Sequence, residues 1–115
     1  DVLDCASLQH GAAGMVSGLS NVAPELFVRL YEASRQGDHE AMCEAQRSIN
    51  RLADIGQAAG GSPVSGIKAA LSLEGHCSHR LRVPGDTATE SQKRAVGAIL
   101  SELGLEFGSA ARGMR

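Results

Sequence analysis

The sequence predicts a mostly helical chain of the α/β class, in which one β-strand lies between two helices. Apolar residues recur at spacings of three and four along most of the 115 residues, which is typical of helices. One segment differs, because residues 13–17 form a compact apolar run between glycines that suits a strand and is too short for a helix. Hydrophobic residues make up 43% and charged residues 21% of the chain, as in a folded globular protein.

A short amphipathic helix is predicted at the start of the chain and ends near Gly11, a residue suited to a C-terminal cap. Its stripe consists of apolar residues at helical spacing, which are Val2, Leu3, Ala6 and Leu8. The strand at 13–17 follows, and Ser20 or Asn21 is expected to cap the next helix. Pro24 is expected in the first turn of that helix, where its missing N–H costs little.

Two further helices are predicted between Gly37 and Gly75, separated by a Gly-Gly-Ser-Pro linker at 60–63. Asp38 is suited to be the N-cap of the first of them. The residues predicted to face the interior are Met42, Ala45, Ile49, Leu52 and Gly56 in the first helix, and Val64, Ile67, Ala70 and Leu71 in the second.

The last predicted helix follows an irregular stretch at 76–88, in which Pro84-Gly85 marks a turn. It begins at Thr89, which has capping-box spacing to Gln92, and it ends before Gly104. Its apolar stripe consists of Val96, Ile99, Leu100 and Leu103.

The predicted strand needs partners that the chain does not supply. A buried strand must have hydrogen-bonded neighbours on both edges, and the sequence offers no obvious second strand. We therefore expect residues 13–17, with Met15 and Val16 buried, to pair with strands of a longer α/β protein or of another chain. The alternative is that this segment is a loop in an all-α domain.

Composition argues against several classes of protein. A net charge of −2 and an aromatic content of 3% do not suit a nucleic-acid-binding protein, which needs a basic face and stacking residues. The uncharged run at 5–24 contains polar residues and glycines, so we do not expect it to cross a membrane. Cys5, Cys43 and Cys77 are widely spaced and are typical of reduced thiols in a cytoplasmic protein.

The remaining candidates for chemistry are histidines and cysteines. His76, Cys77 and His79 lie close in sequence, but no further ligand has a suitable spacing, so we predict no metal site. Cys5 and Cys43 lack the histidine and acid that a nucleophilic cysteine requires.

Several short motifs follow one another along the chain. They are residues 11–25 (GAAGMVSGLSNVAPE), Leu30-Tyr31, Gly37-Asp38, 67–71 (IKAAL), Gly75, 82–84 (RVP) and 102–105 (ELGL). In this order and at these spacings they resemble the dihydrodipicolinate synthase / N-acetylneuraminate lyase family. The resemblance covers nearly the whole chain except the tail.

The resemblance implies the C-terminal part of a (β/α)₈ TIM barrel followed by a three-helix extension. Residues 1–37 would contain the seventh helix, the eighth strand and the eighth helix of the barrel. Residues 38–105 would form the helical extension, and 106–115 a flexible tail. Members of the family are commonly homotetramers, so the chain is expected to form a homo-oligomer or to pair with the N-terminal portion of the barrel.

The family makes or breaks carbon–carbon bonds, or dehydrates sugar acids, through a Schiff base between a lysine and pyruvate or another 2-oxo acid. The resemblance implies a lyase or aldolase without a cofactor, whose second substrate is an aldehyde or a sugar acid. The family's Schiff-base lysine and proton-relay tyrosine match positions upstream of Asp1, so we expect no catalytic residue in this chain. Lys68 falls on an added helix, where a solvated or interface lysine is expected, and Tyr31 is expected to pack.

The same resemblance implies one wall of a substrate pocket. Val16, Ser17 and Gly18 would lie at the C-terminal end of the strand, where ligands bind in parallel barrels. The family places the backbone carbonyl at the position of Val16 beside the reacting lysine. Asp1 matches a position just after strand seven, and Val2 stands where the sialic-acid lyases carry an acidic residue, which argues against sialic acid as substrate.

A second hypothesis is a non-catalytic module for helical assembly or binding that derives from the same family. It rests on the lack of a complete catalytic set in these residues. About 180 preceding residues of βα repeats in the coding sequence would favour the enzyme, because a complete barrel takes roughly 250 residues.

Overall fold

The computed structural model describes residues 1–83 and 86–105, and these residues are helical with irregular connections. The helices are α1 (Asp4–Gln9), α2 (Pro24–Gln36), α3 (His39–Ala53), α4 (Ile55–Ala58), α5 (Pro63–Leu73) and α6 (Glu90–Glu102), with a 3₁₀ turn at Leu19–Asn21. They form two compact units, of which the first comprises Asp1–Ala53 and the second begins at Asp54. Within the described ranges, none of the helices has the length and hydropathy needed to span a bilayer.

The first unit is built from α1, α2 and α3, which pack against one another. Local signals place the first turn and the end of α2, and the start of α3, as predicted. Pro24 is in the first turn of α2, and Gly37 ends that helix with a φ of 69°, a conformation that favours glycine. The Oδ1 atom of Asp38 accepts a hydrogen bond from the N–H of Ala41 at 3.0 Å and so caps α3. The core of this unit includes Leu26, Phe27, Leu30, Met42, Ala45, Ile49 and Leu52.

The second unit is built from α4, α5 and α6. Its buried side chains include Ile55, Ala69, Ala70, Val96, Ile99 and Leu100, together with the polar residue Ser65. The Ser65 hydroxyl donates a hydrogen bond of 2.5 Å to the carbonyl oxygen of Asp86. This bond ties α5 to the connection that leads into α6, and it satisfies the buried hydroxyl.

The strand predicted at 13–17 is wrong for the chain as the structure describes it. Residues 14–17 have no regular secondary structure, Met15 is only half-buried, and Val16 is fully exposed. A strand exists only through hydrogen bonds to a neighbouring strand, and none of the described residues supplies one. The alternative, a loop in a helical chain, is what these residues show.

Two helix boundaries also differ from the prediction. The N-cap of α2 is Ala23, which offers no capping side chain, because Ser20 and Asn21 belong to the preceding 3₁₀ turn. The long helix expected from Asp38 to Gly56 is interrupted at Asp54, where α3 ends and the short α4 begins in the next unit.

The buried face of α5 agrees with the prediction only at Ala70, which is fully buried. Val64 is 58% exposed, and Ile67 and Leu71 are half-buried. The face that packs inward consists of small residues, which are Ser65, Gly66, Ala69 and Ala70. The physical reason is a close approach of α4 to α5, since a Cβ atom on Gly66 would lie 2.6 Å from the carbonyl oxygen of Ile55.

The predicted capping box at the start of α6 is confirmed. The Thr89 side chain accepts a hydrogen bond from the N–H of Gln92 at 3.2 Å, and the Gln92 side chain accepts one from the N–H of Thr89 at 2.8 Å. Val96, Ile99 and Leu100 are buried as expected. The turn predicted at Pro84-Gly85 and the tail predicted at 106–115 lie outside the described residues.

We expect Thr89→Ala to lower the free energy of unfolding by about 1 kcal/mol, because it leaves the N–H of Gln92 without its capping oxygen. Urea denaturation followed by circular dichroism measures the change. Ser91→Ala is the matched control, since Ser91 is exposed in the first turn of the same helix. Equal losses in the two variants would contradict the capping role.

Candidate functional site

The candidate site centres on segment 14–18, which connects α1 to the 3₁₀ turn and has no regular secondary structure at residues 14–17. Among the residues that the structure describes, none forms a hydrogen bond with the main chain of Met15 or Val16. Val16 is also fully exposed. Unpaired N–H and C=O groups in an extended segment are the groups through which a strand of another polypeptide segment would pair.

The end of this segment is fixed by the 3₁₀ turn. The Ser17 hydroxyl oxygen accepts a hydrogen bond from the N–H of Ser20 at 3.3 Å, and the Ser20 hydroxyl donates one to the carbonyl oxygen of Ser17 at 2.6 Å. The carbonyl oxygen of Gly18 accepts a bond of 2.9 Å from the Asn21 amide. Ser17 and Gly18 are therefore held in place, and the Ser17 hydroxyl retains its own proton for a further hydrogen bond.

An apolar groove of about 350 Å³ lies beside the segment. It is lined by Gly14, Met15, Phe27, Val28, Tyr31 and Glu32. Val28 is 53% exposed at its edge. Arg35 donates a hydrogen bond of 3.1 Å to the Tyr31 hydroxyl, and its guanidinium carbon is 5.9 Å from the centre of the Tyr31 ring, an arrangement that orients this tyrosine as part of the groove wall.

Asp1 is hydrogen-bonded to α3. Its carbonyl oxygen accepts a hydrogen bond of 3.0 Å from the Gln46 amide on α3. Within the described part of the chain, no hydrogen bond or ion pair joins Asp1 to Val16, Ser17 or Gly18. The grouping of these four residues around a substrate therefore stays a prediction.

Lys68 is on α5, and its side chain is half-buried. Its Nζ atom is 3.6 Å from the Sγ atom of Cys77. His76 lies 3.6 Å from the Glu74 carboxylate. Across residues 1–83 and 86–105, no group of three or more His, Cys, Asp or Glu side chains is arranged to hold a metal ion.

Sequence reasoning missed the role of Gln46. Its amide oxygen accepts a hydrogen bond of 2.7 Å from the N–H of Cys5, and its amide nitrogen donates to Asn50 at 2.9 Å as well as to Asp1. Leu3, the N-cap of α1, offers no capping side chain, so Gln46 supplies the acceptor that the start of α1 otherwise lacks. No local pattern reveals this contact, because the two residues are 41 positions apart.

Comparison with known proteins identifies the family. The sequence profile of the dihydrodipicolinate synthetase family matches residues 1–103. The chain is 38% identical over 105 residues to an uncharacterised DapA-like lyase of Halobacterium salinarum, a match that covers 91% of this chain and 34% of that protein.

Two relatives carry a more specific name, 4-hydroxy-tetrahydrodipicolinate synthase. The protein of Bartonella bacilliformis is 36% identical over 97 residues, which is 84% of this chain and 32% of that protein. The protein of Methylobacterium radiotolerans is 38% identical over 96 residues, again 84% of this chain and 31% of that protein. The chain thus spans about a third of the length of these relatives. Because the family profile matches residues 1–103, nearly all of the sequence, the chain belongs to the dihydrodipicolinate synthetase family.

Proposed function

We propose that this chain is the C-terminal portion of a Schiff-base-forming, pyruvate-dependent lyase or aldolase. The observation that carries the proposal is the family match over residues 1–103, together with relatives named as a lyase and as synthases. The reaction would make or break a carbon–carbon bond next to a 2-oxo acid, with an aldehyde or a sugar acid as the second substrate.

The proposed chemistry needs an amine and a proton relay. A lysine amine condenses with the ketone of pyruvate and releases water, and the resulting iminium withdraws electrons from the neighbouring carbon. Loss of a proton from that carbon gives an enamine, which attacks the aldehyde. We place the lysine and the relay tyrosine in a part of the parent protein outside this chain, and the reaction requires no cofactor.

The role of this chain would be to complete the barrel and line one side of the pocket. Two observations support this proposal: within residues 1–83 and 86–105 the main chain of Met15 and Val16 has no hydrogen-bond partner, and an apolar groove lies beside it. Strands on both edges of the segment would satisfy its N–H and C=O groups, and in a closed barrel the side chains of the interior or the outer helices would cover Val16. Val16, Ser17, Gly18 and Asp1 are then the residues that we propose to lie near the substrate.

Borohydride trapping tests the proposed chemistry. The full-length protein is incubated with pyruvate, reduced with sodium borohydride and digested, and the modified peptide is identified by mass spectrometry. We expect one adduct on a lysine outside this chain, and Lys68→Arg, which keeps the positive charge, should leave trapping unchanged. An adduct on Lys68 would contradict our assignment of that residue to an added helix outside the active site.

The same experiment separates the enzyme from the non-catalytic alternative. A folded full-length protein that gives no adduct with pyruvate under conditions that trap a known aldolase would favour a helical assembly or binding module. We further propose a homotetramer, which sedimentation velocity tests. The free thiols of Cys5, Cys43 and Cys77 support a cytoplasmic location, where thiols stay reduced.

A further inference from the structure

Two cysteines are carried by α1 and α3, the helices that pack on each other in the first unit. Cys5 is on α1 and Cys43 is on α3, and both are free thiols. The N–H of Cys5 donates a hydrogen bond of 2.7 Å to the side chain of Gln46. Since Gln46 follows Cys43 by three positions, the two residues are neighbours on one face of the helix. Cys5 therefore lies against the turn of α3 that carries Cys43.

A second contact shows how α1 and α3 are aligned with each other. The Nε2 atom of Gln9, four residues after Cys5, is 3.5 Å from the Nδ1 atom of His39, four residues before Cys43. Cys5 contacts Gln46 and Gln9 contacts His39, so α1 and α3 are antiparallel. His39, Cys43 and Gln46 share one face of α3. Cys43 lies between the other two along this face.

Electrostatics agrees with this placement. Burial raises the pKa of the Cys5 thiol, and the nearby Cys43 sulfur raises it further, because two negative charges close together repel each other. Cys43 is exposed whereas Cys5 is half-buried. An oxidant in solution therefore reaches Cys43 first.

We propose that Cys5 and Cys43 form an intramolecular redox pair that closes a disulfide between α1 and α3 when the protein meets a peroxide. The Cys43 sulfur attacks one peroxide oxygen, the O–O bond breaks, and Cys43 becomes a sulfenic acid while one water leaves. The Cys5 sulfur then displaces the hydroxyl group as a second water and the S–S bond forms. Two thiols lose two electrons and two protons, and the peroxide is reduced to two waters.

The order of these steps follows from the surroundings of the two thiols. Cys43 is exposed and reacts first, whereas burial and the nearby Cys43 sulfur raise the pKa of the half-buried Cys5 thiol, so Cys5 acts second. The disulfide would connect the first helix to the third, and a reducing thiol would reopen it. The inference does not rest on the proposed lyase activity.

Peptide mapping of the oxidised full-length protein tests the proposal. The protein is treated with hydrogen peroxide, remaining thiols are alkylated, and tryptic peptides are analysed without reduction. Cys5 lies in the peptide that ends at Arg29, and Cys43 lies in the peptide 36–47. We expect these two peptides to be linked in the wild type and in Cys77→Ser, to separate after dithiothreitol, and to remain separate in Cys43→Ser.

The thermal transition provides a second measurement. Oxidation should raise the melting temperature of the wild type by several degrees, and dithiothreitol should reverse the rise, whereas Cys43→Ser should show neither change. Circular dichroism of the reduced variants checks that each is folded. The proposal is overturned if both cysteines are oxidised separately without a linked peptide, or if Cys43 is linked to Cys77 instead.

Discussion

Gly66→Ala is expected to lower the free energy of unfolding by about 2 kcal/mol, the scale of an overpacked core. A Cβ atom at this position would lie 2.6 Å from the carbonyl oxygen and 2.7 Å from the carbonyl carbon of Ile55. These are backbone atoms, so the clash can be relieved only if α4 and α5 move apart. Alanine is the better helix former by about 1 kcal/mol, and the steric cost must exceed this gain.

Urea denaturation of the wild type and the variant measures the difference. Gly14→Ala is the matched control, because a Cβ atom on Gly14 meets no atom within 4 Å and its φ does not fall in the left-handed region. The control should unfold at the wild-type urea concentration. A Gly66→Ala protein more stable than the wild type would show that helix propensity, and not the close approach of α4 and α5, controls this position.

The helix boundaries that were predicted correctly depend on local chemistry. Gly37 ends α2 because it adopts a positive φ, Asp38 caps α3 three residues ahead, and Thr89 and Gln92 cap each other. Each of these signals involves residues within four positions of one another. Such interactions form in the same way whatever the rest of the chain does.

The predictions that failed depend on distant parts of the chain. Hydropathy alone places Val64 and Ile67 inside, whereas the structure buries the smaller face around Gly66. The backbone of Ile55 lies so close to that face that only small residues fit there. The spacing of apolar residues within α5 contains no sign of this contact. The contact of Cys5 with Gln46 likewise joins two helices whose separate patterns contain no sign of it.

The segment at 13–17 is another case in which the local sequence does not determine the structure. Its composition suits a buried strand, but composition does not supply a hydrogen-bonding neighbour. In the described residues the segment has no regular secondary structure, and Val16 is fully exposed whereas Met15 is half-buried. Whether these residues are a strand is therefore a property of what lies beside them, and the candidate substrate wall at Val16, Ser17 and Gly18 depends on the same neighbours.

Val16→Asp in the full-length protein is expected to cost several kcal/mol of stability, the price of an unpaired carboxylate in a dry interior. The reason is that a closed barrel would cover both faces of the strand at 14–17 and so bury Val16, which is fully exposed in this chain taken alone. Thermal unfolding and soluble yield measure the loss, which should be accompanied by loss of lyase activity.

Val16→Thr is the matched control for this substitution. Threonine keeps the branched shape and the backbone carbonyl of Val16, and its hydroxyl is far less costly to bury than a carboxylate. We therefore expect Val16→Thr to remain folded and to retain most of its activity. If Val16→Asp is as stable as Val16→Thr, the segment faces water in the full-length protein too. It is then not a barrel strand, and the proposed substrate wall is lost with it.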